Sequence, residues 1–371
     1  MTMLPRATDV FVIGGGPAGL AAAIAARRRG LDVIVADCAL PPVDKACGEG
    51  IMPDGLAAAA ALGLDLSGAA GHTFRGIRFR NAGTSVEADF PAGAGRGIRR
   101  VELHRVMVDA AIDAGVRLAW GTRIAGVSAA GVQAGDRTVR ARWIVGADGS
   151  HSPVRGWAGL DAAHHESRRY GFRRHYRLED PGDYMEVHWG DACQLYVTPV
   201  GDHEVCVVLI SRDPRQRLAD VLPCFPEAAQ RLACAEPLNP ERGGVTVSRR
   251  LRAVARGNVA LVGDASGSVD AVTGEGLCLL FQQSLALADA LAAGDLRGYE
   301  AAHRRIGRRP GFMSDMMLLL DRRRLLRGRT IRAMAAEPRL FAGLLAMHVG
   351  ACSAFDFFAN GLALGWRMLS L

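Results

Sequence analysis

The chain has 371 residues, of which 49% are hydrophobic and 22% charged, and this supplies enough apolar material for one large core or two adjoining cores. Its length and composition exclude intrinsic disorder and a small disulfide-bonded scaffold. The formal net charge is +7, but the arginines are spread through the chain without a recognisable nucleic-acid-binding module, so we expect no nucleic-acid partner. The denser basic stretch at 322–332 is interpreted as a solvated helix face, with an acidic partner or a membrane headgroup as the alternative.

The first part of the chain predicts a β-α-β unit. A β-type run at 9–13 ends in glycines, an Ala-rich helix covers 18–29, and a second strand covers 31–36. The elements predicted next are a helix at 53–62, a hairpin of strands at 73–80 and 84–90, a helix at 101–114 and a strand at 143–145.

From about residue 168 the pattern changes to short alternating strands separated by Gly-Asp turns, which is typical of an antiparallel sheet. The strands predicted in this part lie at 184–189, 194–198 and 204–210. A buried strand at 259–262 and a long apolar helix at 276–291 follow, and the rest is predicted to be helical with breaks at Pro310 and Pro338.

Because the parallel strands at the two ends must share one sheet, the predicted fold is α/β, with a discontinuous Rossmann-like domain on a mixed, mainly parallel sheet. An antiparallel-sheet substrate domain is inserted into it, and a helical region ends the chain. The predicted boundaries are 1–72, 96–165 and 245–300 for the Rossmann-like domain, 73–95 and 166–244 for the inserted domain, and 301–371 for the helical region.

The eight cysteines show no Cys-x-x-Cys pair and no zinc-site spacing, so we expect reduced thiols and no metal. No apolar leader is recognisable, and we expect a cytoplasmic protein. The segment 344–366 is the nearest to a membrane span, but His348, Asp356 and Asn360 interrupt it. We expect a packed helix pair there, with peripheral membrane contact through the C-terminal helices as the alternative.

Residues 14–19, Gly-Gly-Gly-Pro-Ala-Gly, satisfy the pattern G-x-G-x-x-G between a strand and a helix. Gly14 allows a tight turn, Gly16 lets a pyrophosphate approach the backbone, and Gly19 lets helix and strand pack closely. The helix N-terminus offers free N–H groups to the anion. The second strand leads to Asp37, a carboxylate suited to a ribose hydroxyl, so a dinucleotide site is predicted.

Further motifs indicate a flavin as the resident dinucleotide. One strand ends in Gly263-Asp264, where a carboxylate suits a ribityl or ribose hydroxyl. The stretch Gly274-Glu275-Gly276-Leu277 opens a long helix, whose N-terminus suits pyrophosphate oxygens or the flavin pyrimidine carbonyl. Between the two ends of the chain, Asp148-Gly149 supplies another Asp-Gly turn.

The order of these three motifs resembles the superfamily of FAD-dependent aromatic hydroxylases and geranylgeranyl reductases over roughly residues 8–295. The resemblance implies that the Rossmann-like domain binds FAD, that residues 47–50 form a loop passing the flavin as in the reductase branch, that Arg100 lies near the flavin and that Ile124 contacts the adenine. The FAD contacts it implies are Gly14, Gly16, Pro17, Ala18, Gly19, Asp37, Cys47, Gly48, Gly50, Arg100, Ile124, Asp264, Gly276 and Leu277.

The chain departs from the family pattern at three positions. His104 stands where the family often has Asp, and Ala271 where it has proline before the final glycine-rich helix. Val197 replaces the tryptophan that reductases carry in the substrate sheet. This last departure favours the hydroxylase branch, whereas the two Gly-Glu-Gly loops favour the reductase branch.

The predicted function is that of an FAD-dependent oxidoreductase. The first hypothesis is an NAD(P)H-dependent monooxygenase acting on a hydrophobic, aromatic or polyketide-like molecule, and the alternative is a C=C reductase or dehydrogenase of prenyl or lipid-like substrates. Because no second dinucleotide motif exists, NAD(P)H would visit the FAD site transiently. The third hypothesis, a flavin-binding structural or sensor protein, would leave the cofactor set idle.

The sequence does not fix the catalytic residues. The side chains expected to face the flavin are Cys47, Glu49, Glu275, His188, Tyr196 and Thr198. For the cysteine the alternative is simple packing, and for the two glutamates it is a role in structuring their loops. We expect an apolar cavity at the domain junction, and a truncation near Pro310 that spares FAD binding while abolishing turnover. Alternate members of one apolar set should face the cavity: Val187, Trp189, Leu195, Val197, Val205, Val207 and Leu209.

Overall fold

Three sheets and a C-terminal layer of helices make up the computed structural model, which describes residues 4–128 and 130–370. Its strands are β1 Ala7–Ile13, β2 Val33–Asp37, β3 Gly50–Ile51, β4 His72–Phe74, β5 Gly76–Asn81, β6 Thr84–Asp89, β7 Gly95–Gly97, β8 Arg117–Trp120, β9 Ile124–Ser128, β10 Gly131–Ala134, β11 Arg137–Gly146, β12 Ala163–Arg177, β13 Tyr184–Trp189, β14 Cys193–Gly201, β15 Glu204–Ser211, β16 Glu236–Pro237, β17 Arg242–Leu251, β18 Ala255–Arg256 and β19 Val259–Leu261. Its α-helices are α1 Pro17–Arg28, α2 Pro53–Ala61, α3 Arg100–Asp113, α4 Pro153–Trp157, α5 Leu218–Val221, α6 Pro226–Leu232, α7 Gly276–Ala293, α8 Leu296–Arg322, α9 Arg324–Ala336, α10 Pro338–His348 and α11 Ala354–Leu369.

The first large sheet has the order β18-β19-β11-β1-β2-β8 and is parallel except at β18. Strands β9 and β10 extend β11 as an antiparallel meander. The central strand β1 is fully buried at Val10, Phe11 and Val12, because α1, α3 and α7 cover one face of the sheet and the β9–β10 meander with α4 covers the other. The strands at the two ends of the chain share this sheet, as predicted.

The second large sheet has the order β16-β12-β15-β14-β13-β5-β6, with β17 also pairing with β12. Its pairs are antiparallel except for the parallel pair of β13 and β5. The fold class predicted from the sequence is therefore confirmed, including the antiparallel sheet and the helical C-terminal region. The residue boundaries of the domains stay a prediction.

The two faces of the second sheet contact different parts of the protein. The face that packs on α5 and α6 carries Leu195, Val197, Val205, Val207 and Leu209. The opposite face, toward the first sheet, carries Tyr196, Thr198, Cys206, Val208 and Ile210. The five residues of the first group were among the apolar set expected to alternate toward the cavity, and for these five the expectation is wrong because they all share the far face. Val187 and Trp189 of the same set pack in the cluster of the opposite face.

The helical region belongs to the main core. Helix α8 continues through Pro310 and ends at Arg322, so the predicted break at Pro310 is wrong, whereas Pro338 begins α10 as predicted. Met313 and Met317 of α8 pack in the same cluster as the first sheet. A truncation at Pro310 would cut α8 and expose this cluster, so we now expect it to prevent folding rather than to spare FAD binding.

The segment 344–366 is divided between two helices, as expected. Helix α10 ends at His348, and Gly350 then takes a left-handed conformation with φ of +73° before α11 begins. Among the described helices, α7 is the one long and apolar enough to cross a bilayer, but 61% of its residues are buried. It packs against α1, α2 and α8 as a core helix.

Candidate active site

The turn between β1 and α1 has the close contacts that its glycines predict. Gly14 has φ of +110°, and a Cβ there would lie 2.4 Å from the carbonyl oxygen of Ala147. A Cβ on Gly19 would lie 1.8 Å from the carbonyl oxygen of Gly14. The sequence analysis missed Gly15, where a Cβ would lie 2.3 Å from the Trp120 ring. All three glycines are therefore needed for this packing.

The N-terminus of α1 is open in front of Gly16, Pro17 and Ala18. Gly16 is the N-cap residue, and no side chain in the described ranges caps it. The nearest atom to a Cβ on Gly16 would be Nη2 of Arg100, at 3.9 Å. A free helix N-terminus beside an arginine is a favourable place for a pyrophosphate.

Asp37 lies at the end of β2 next to the glycine turn. One of its carboxylate oxygens accepts a hydrogen bond from the Gly15 N–H at 2.7 Å, and the other accepts one from the Ala39 N–H at 2.8 Å. The Thr122 N–H donates to the Asp37 carbonyl oxygen at 2.8 Å, which places the start of β9 at Ile124 nearby. The residues predicted for the adenosine side therefore lie around one strand end.

His104, which departs from the family pattern, supports the same turn. Its Nε2 lies 2.9 Å from the Gly15 carbonyl oxygen, so this nitrogen carries the proton and donates it. Burial lowers the pKa of His104, and the charge of Arg100 adds to this effect. The ring is therefore neutral near pH 7 and positions the glycine turn.

A cavity of about 240 Å³ lies between the glycine-rich start of α7 and the second sheet. Among the residues that line it are many of those singled out from the sequence: Cys47, Gly48, Glu49, Gly50, Tyr196, Thr198, Asp264, Glu275, Gly276 and Leu277. A Cβ on Gly48, Gly274 or Gly276 would meet no atom of the described chain within 4 Å, so the cavity is open at all three glycines.

His188 does not line this cavity, contrary to the expectation. It lies on the far face of the second sheet, where its ring contacts Phe225 and its Nε2 lies 2.9 Å from Glu186. Burial opposes the ionisation of Glu186, but the hydrogen bond from His188 and the charges of Arg231 and Arg80 outweigh it and lower the Glu186 pKa to about 2. His188 therefore belongs to a structural ion cluster.

Glu49 fixes the loop at 47–50 rather than presenting a free acid. Its carboxylate is fully buried, accepts hydrogen bonds from Arg173 and from the Arg100 backbone N–H, both at 2.9 Å, and lies 2.7 Å from Nε2 of His175. The residue itself has φ of +61°. With three partners for two oxygens, Glu49 has the loop-structuring role that the sequence analysis kept as an alternative.

Cys47 is not an activated thiol. Burial raises the pKa of Cys47, and the carboxylate of Glu49 raises it further, so the thiol keeps its proton near neutral pH. Of the described residues, only Glu49, His175 and Cys206 come close enough together to hold a metal ion. The guanidinium of Arg173 occupies one oxygen of that carboxylate and opposes a second cation.

Tyr196 and Thr198 project from β14 into the cavity. The Tyr196 hydroxyl donates a hydrogen bond to the Val272 carbonyl oxygen at 2.6 Å, which holds the loop before α7 against the sheet. Burial raises the pKa of Tyr196, so it remains a neutral phenol. The Thr198 hydroxyl is buried at the cavity wall and finds no hydrogen-bond partner within the described part of the chain.

Glu275 is a deeply buried carboxyl at the cavity wall. It is 2% exposed, and its Oε2 has no hydrogen-bond partner in residues 4–128 and 130–370. Burial raises the pKa of Glu275 to about 8, against the opposing charge of Arg309. Oε2 lies 3.9 Å from Nδ1 of His348, whose pKa burial lowers to about 4. At pH 7 a protonated carboxyl therefore faces a neutral imidazole.

Asp264 lines the mouth of the cavity and is half-exposed. Its Oδ2 lies 3.2 Å from Nζ of Lys45, the single lysine of the chain. Arg155 of α4 donates hydrogen bonds to the carbonyl oxygens of Ser150 and Ala265. This buried guanidinium ties the internal Asp-Gly turn to the loop of Asp264.

Sequence analysis missed a buried ion network beside the cavity. Arg169 of β12 contacts Asp270 at 3.0 Å and Asp321 of α8 at 2.8 Å. Asp270 accepts a hydrogen bond from the Val272 N–H, and Gln194 donates one to Asp321. The network joins the second sheet, the loop before α7 and the C-terminal helices. It had no sequence signal because Arg169 is 101 and 152 positions from its two carboxylate partners.

These features fit FAD. Two uncapped helix starts, at Gly16 and Gly276, face space that a side chain there would enter, and Asp37 and Asp264 offer carboxylates at the ends of the parallel sheet. The buried polar atoms of Thr198 and Glu275 at the cavity wall lack partners from the described protein. The polar ring edge of a dinucleotide bound in the cavity would give the Thr198 hydroxyl and the Glu275 carboxyl the partners that they lack.

Comparison with known proteins also indicates an FAD-binding protein. The chain matches the FAD binding domain family over residues 7–304 and belongs to that family. It is 30% identical over 323 residues to the menaquinone reductase of Mycobacterium tuberculosis, covering 78% of this chain and 77% of the relative.

A second relative is digeranylgeranylglycerophospholipid reductase 1 of Methanothermobacter thermautotrophicus, 26% identical over 332 residues, with 83% of this chain and 82% of the relative covered. Among solved structures, a flavoprotein/dehydrogenase from Cytophaga hutchinsonii superposes with a TM-score of 0.80 at 15% identity, over 98% of this chain and 100% of that one. The protein is therefore an FAD-dependent oxidoreductase.

Proposed function

We propose that the protein reduces a carbon–carbon double bond in a long apolar, isoprenoid-type substrate. The observation that carries this proposal is Glu275, a buried carboxyl that keeps its proton near neutral pH at the wall of the FAD cavity. Reduction of a double bond needs a hydride and a proton. A protonated carboxyl in an apolar site is the usual source of such a proton.

A second, smaller cavity of about 30 Å³ has an apolar lining that suits a short segment of an apolar chain. Met185 and Tyr196 line both cavities, so the two meet at these side chains. Apolar residues of the second sheet, of the loop before α7 and of helices α8 and α10 line most of the smaller cavity: Ile77, Phe79, Val187, Val272, Met313, Met317, Phe341, Leu344 and Leu345. His348 lines it as well, so the Glu275–His348 pair lies where the cavities meet. The apolar lining beside the Glu275–His348 pair is the feature that supports an isoprenoid substrate.

Each of the residues named next has a separate role in the proposed reaction. The helix starts at Gly16 and Gly276, with Asp37 and Asp264, would hold FAD, whose reduced form would supply the hydride. Glu275 donates its proton to the other carbon of the double bond, and the carboxylate left behind is stabilised by Arg309 until solvent returns a proton. Tyr196 holds the loop before α7, and the apolar wall excludes water from the reacting carbons.

The names of the two relatives support this substrate class, since menaquinone and digeranylgeranyl lipids both carry isoprenoid chains. Val197, which stands where reductases carry tryptophan, does not argue against this substrate class, because its side chain lies on the far face of the second sheet. NAD(P)H is proposed as the transient reductant, because the sequence holds a single dinucleotide motif.

Monooxygenation of a hydrophobic molecule is the second candidate. The observation that favours it is the largely apolar wall of the larger cavity, which would also shield oxygen chemistry from water. The two candidates differ in their need for oxygen and in the fate of the substrate.

The experiment is turnover under anaerobic conditions with NADPH or NADH and either menaquinone or a digeranylgeranyl glycerolipid, followed by mass spectrometry. We expect a stable product that has gained two hydrogen atoms in the isoprenoid chain. Loss of the added hydrogens on exposure to air would show that only a quinone ring was reduced. A product that carries an added oxygen atom and forms only in air would overturn the proposal in favour of monooxygenation.

A further inference from the structure

The net positive charge of the chain resides in its C-terminal helices. Residues 301–371 hold twelve arginines and four carboxylates, which gives a formal charge of +8. Residues 1–300 hold 33 basic and 34 acidic side chains. The first 300 residues are thus almost neutral, and the helical region is strongly basic.

Helix α11 presents a row of large apolar side chains to solvent. They occur every three or four residues, which places them on one face of the helix, and each is between 68% and 84% exposed. The row consists of Phe355, Phe358, Leu362, Trp366 and Leu369. The opposite face packs on the protein, where Phe357 contacts the Phe312 ring and the Asn360 amide donates to the Leu340 carbonyl oxygen at 3.0 Å.

This face is too small for a stable contact with a second copy. A helix of 16 residues is about 24 Å long and about 10 Å wide, and it would cover about 240 Å². A standard protein interface buries about 800 Å² on each partner. A helix with aromatic and leucine side chains on one face and arginines around it has instead the composition of a helix that lies in a membrane interface.

We propose that α11 docks on the surface of an anionic lipid bilayer. The row of apolar side chains enters the region between headgroups and acyl chains. Helix α9, which packs against α11, carries the exposed Arg329 and Arg332 on either side of Thr330, whose hydroxyl contacts Met368 of α11. Together with the exposed arginines at 322–324, these side chains attract anionic headgroups.

The position of α10 connects this surface to the smaller cavity. Phe341, Leu344 and Leu345 of α10 line that cavity, while a Cβ on Gly343 would lie 2.7 Å from the Asn360 side chain of α11. One helix thus separates the proposed membrane face from the proposed site for an isoprenoid chain. Only this connection rests on the proposed function, and the docking itself does not.

The test is co-sedimentation of the FAD-bound protein with phosphatidylcholine vesicles, with and without phosphatidylglycerol, in the absence of any substrate. We expect binding to the anionic vesicles and at least tenfold weaker binding to phosphatidylcholine alone. The variant with Phe358→Asp and Trp366→Asp should bind the anionic vesicles at least tenfold more weakly. A matched control with Leu40→Asp and Ile112→Asp, both exposed apolar residues outside this region, should bind like the wild type.

Hydrogen exchange of the unmodified protein keeps the test independent of variant folding. Backbone amides of residues 354–369 should gain protection when anionic vesicles are added. Wild-type protein that stays in the supernatant with both vesicle types, or a Phe358/Trp366 variant that binds undiminished, would overturn the proposal. A wild-type dimer that the same two substitutions dissociate, without vesicle binding, would show that the face belongs to a second copy. Because no substrate is present, failure of the proposed reaction leaves these outcomes unchanged.

Discussion

Replacing Glu275 by Gln tests the chemistry and the electrostatics of the site together. The change keeps the size of the side chain and removes its proton-donating carboxyl. Under the proposed function, reduction of the substrate by the reduced enzyme should slow by about a hundredfold or more, the usual contribution of a general acid. The preceding reduction of FAD should proceed at the wild-type rate. A substitution of the same type outside the cavity lining, Glu102→Gln in α3, is the control.

The same variant has a stability signature whose size follows from the pKa. Burial raises the pKa of Glu275 from its usual 4.5 to about 8, so between these pH values the folded protein keeps a proton that the unfolded chain has lost. Stability contributed by the neutral carboxyl is therefore complete below about pH 4.5 and declines until about pH 8. At about 1.4 kcal/mol per pH unit, the total decline is about 5 kcal/mol.

Urea unfolding of the wild type and of Glu275→Gln at several pH values measures this difference. We expect a flatter pH dependence for the variant and higher stability at pH 8. The rate of substrate reduction by the wild type should fall as the pH rises through about 8. Equal pH slopes of stability would refute the assignment of a neutral carboxyl. A flatter slope with undiminished turnover would show that Glu275 is protonated but does not act as the acid.

Four further outcomes follow from the site. Asp264→Ala should weaken FAD binding by roughly tenfold to a hundredfold, as measured by fluorescence titration, because a hydrogen bond of about 1 to 3 kcal/mol is lost. Gly19→Ala should yield protein that fails to retain FAD on gel filtration, because its Cβ would overlap the Gly14 carbonyl, and unchanged FAD content would contradict that geometry. Arg169→Met should lower the unfolding free energy by about 3 to 5 kcal/mol, since it leaves buried carboxylates unpaired, and a loss below about 1 kcal/mol would contradict the network. Cys47→Ala should retain turnover, and the wild-type thiol should react slowly with iodoacetamide near pH 7, so rapid loss of activity on alkylation would contradict the raised pKa.

The sequence predicted the cofactor region well because its constraints are local. A strand, a glycine turn and a helix start lie within about 20 positions, and each glycine is required by a contact with its neighbours. Glu275 was singled out for the same reason, from the Gly-Glu-Gly stretch at the start of α7. Its protonation depends on burial by α8 and α10, so the pattern of residues alone gave no indication of it.

The sequence could not predict which face of the second sheet is turned toward the cavity. Almost every residue of β13, β14 and β15 is buried, so the alternation of polar and apolar residues that normally distinguishes two faces of a strand is absent. For this reason His188 was placed in the cavity, although it lies on the far face. The predicted break at Pro310 failed for a related reason, because packing of α8 in the core outweighs the local cost of one proline.

The most direct test of the central claim is a rapid-mixing experiment without oxygen. The FAD-bound enzyme is first reduced with dithionite and then mixed with the isoprenoid lipid used in the turnover assay, while flavin absorbance is recorded. Reduction of a double bond predicts that the absorbance of oxidised FAD returns under strict anaerobiosis, in step with formation of the product and about a hundredfold more slowly in Glu275→Gln. Flavin that stays reduced with the lipid and reoxidises only when oxygen is admitted would contradict the account.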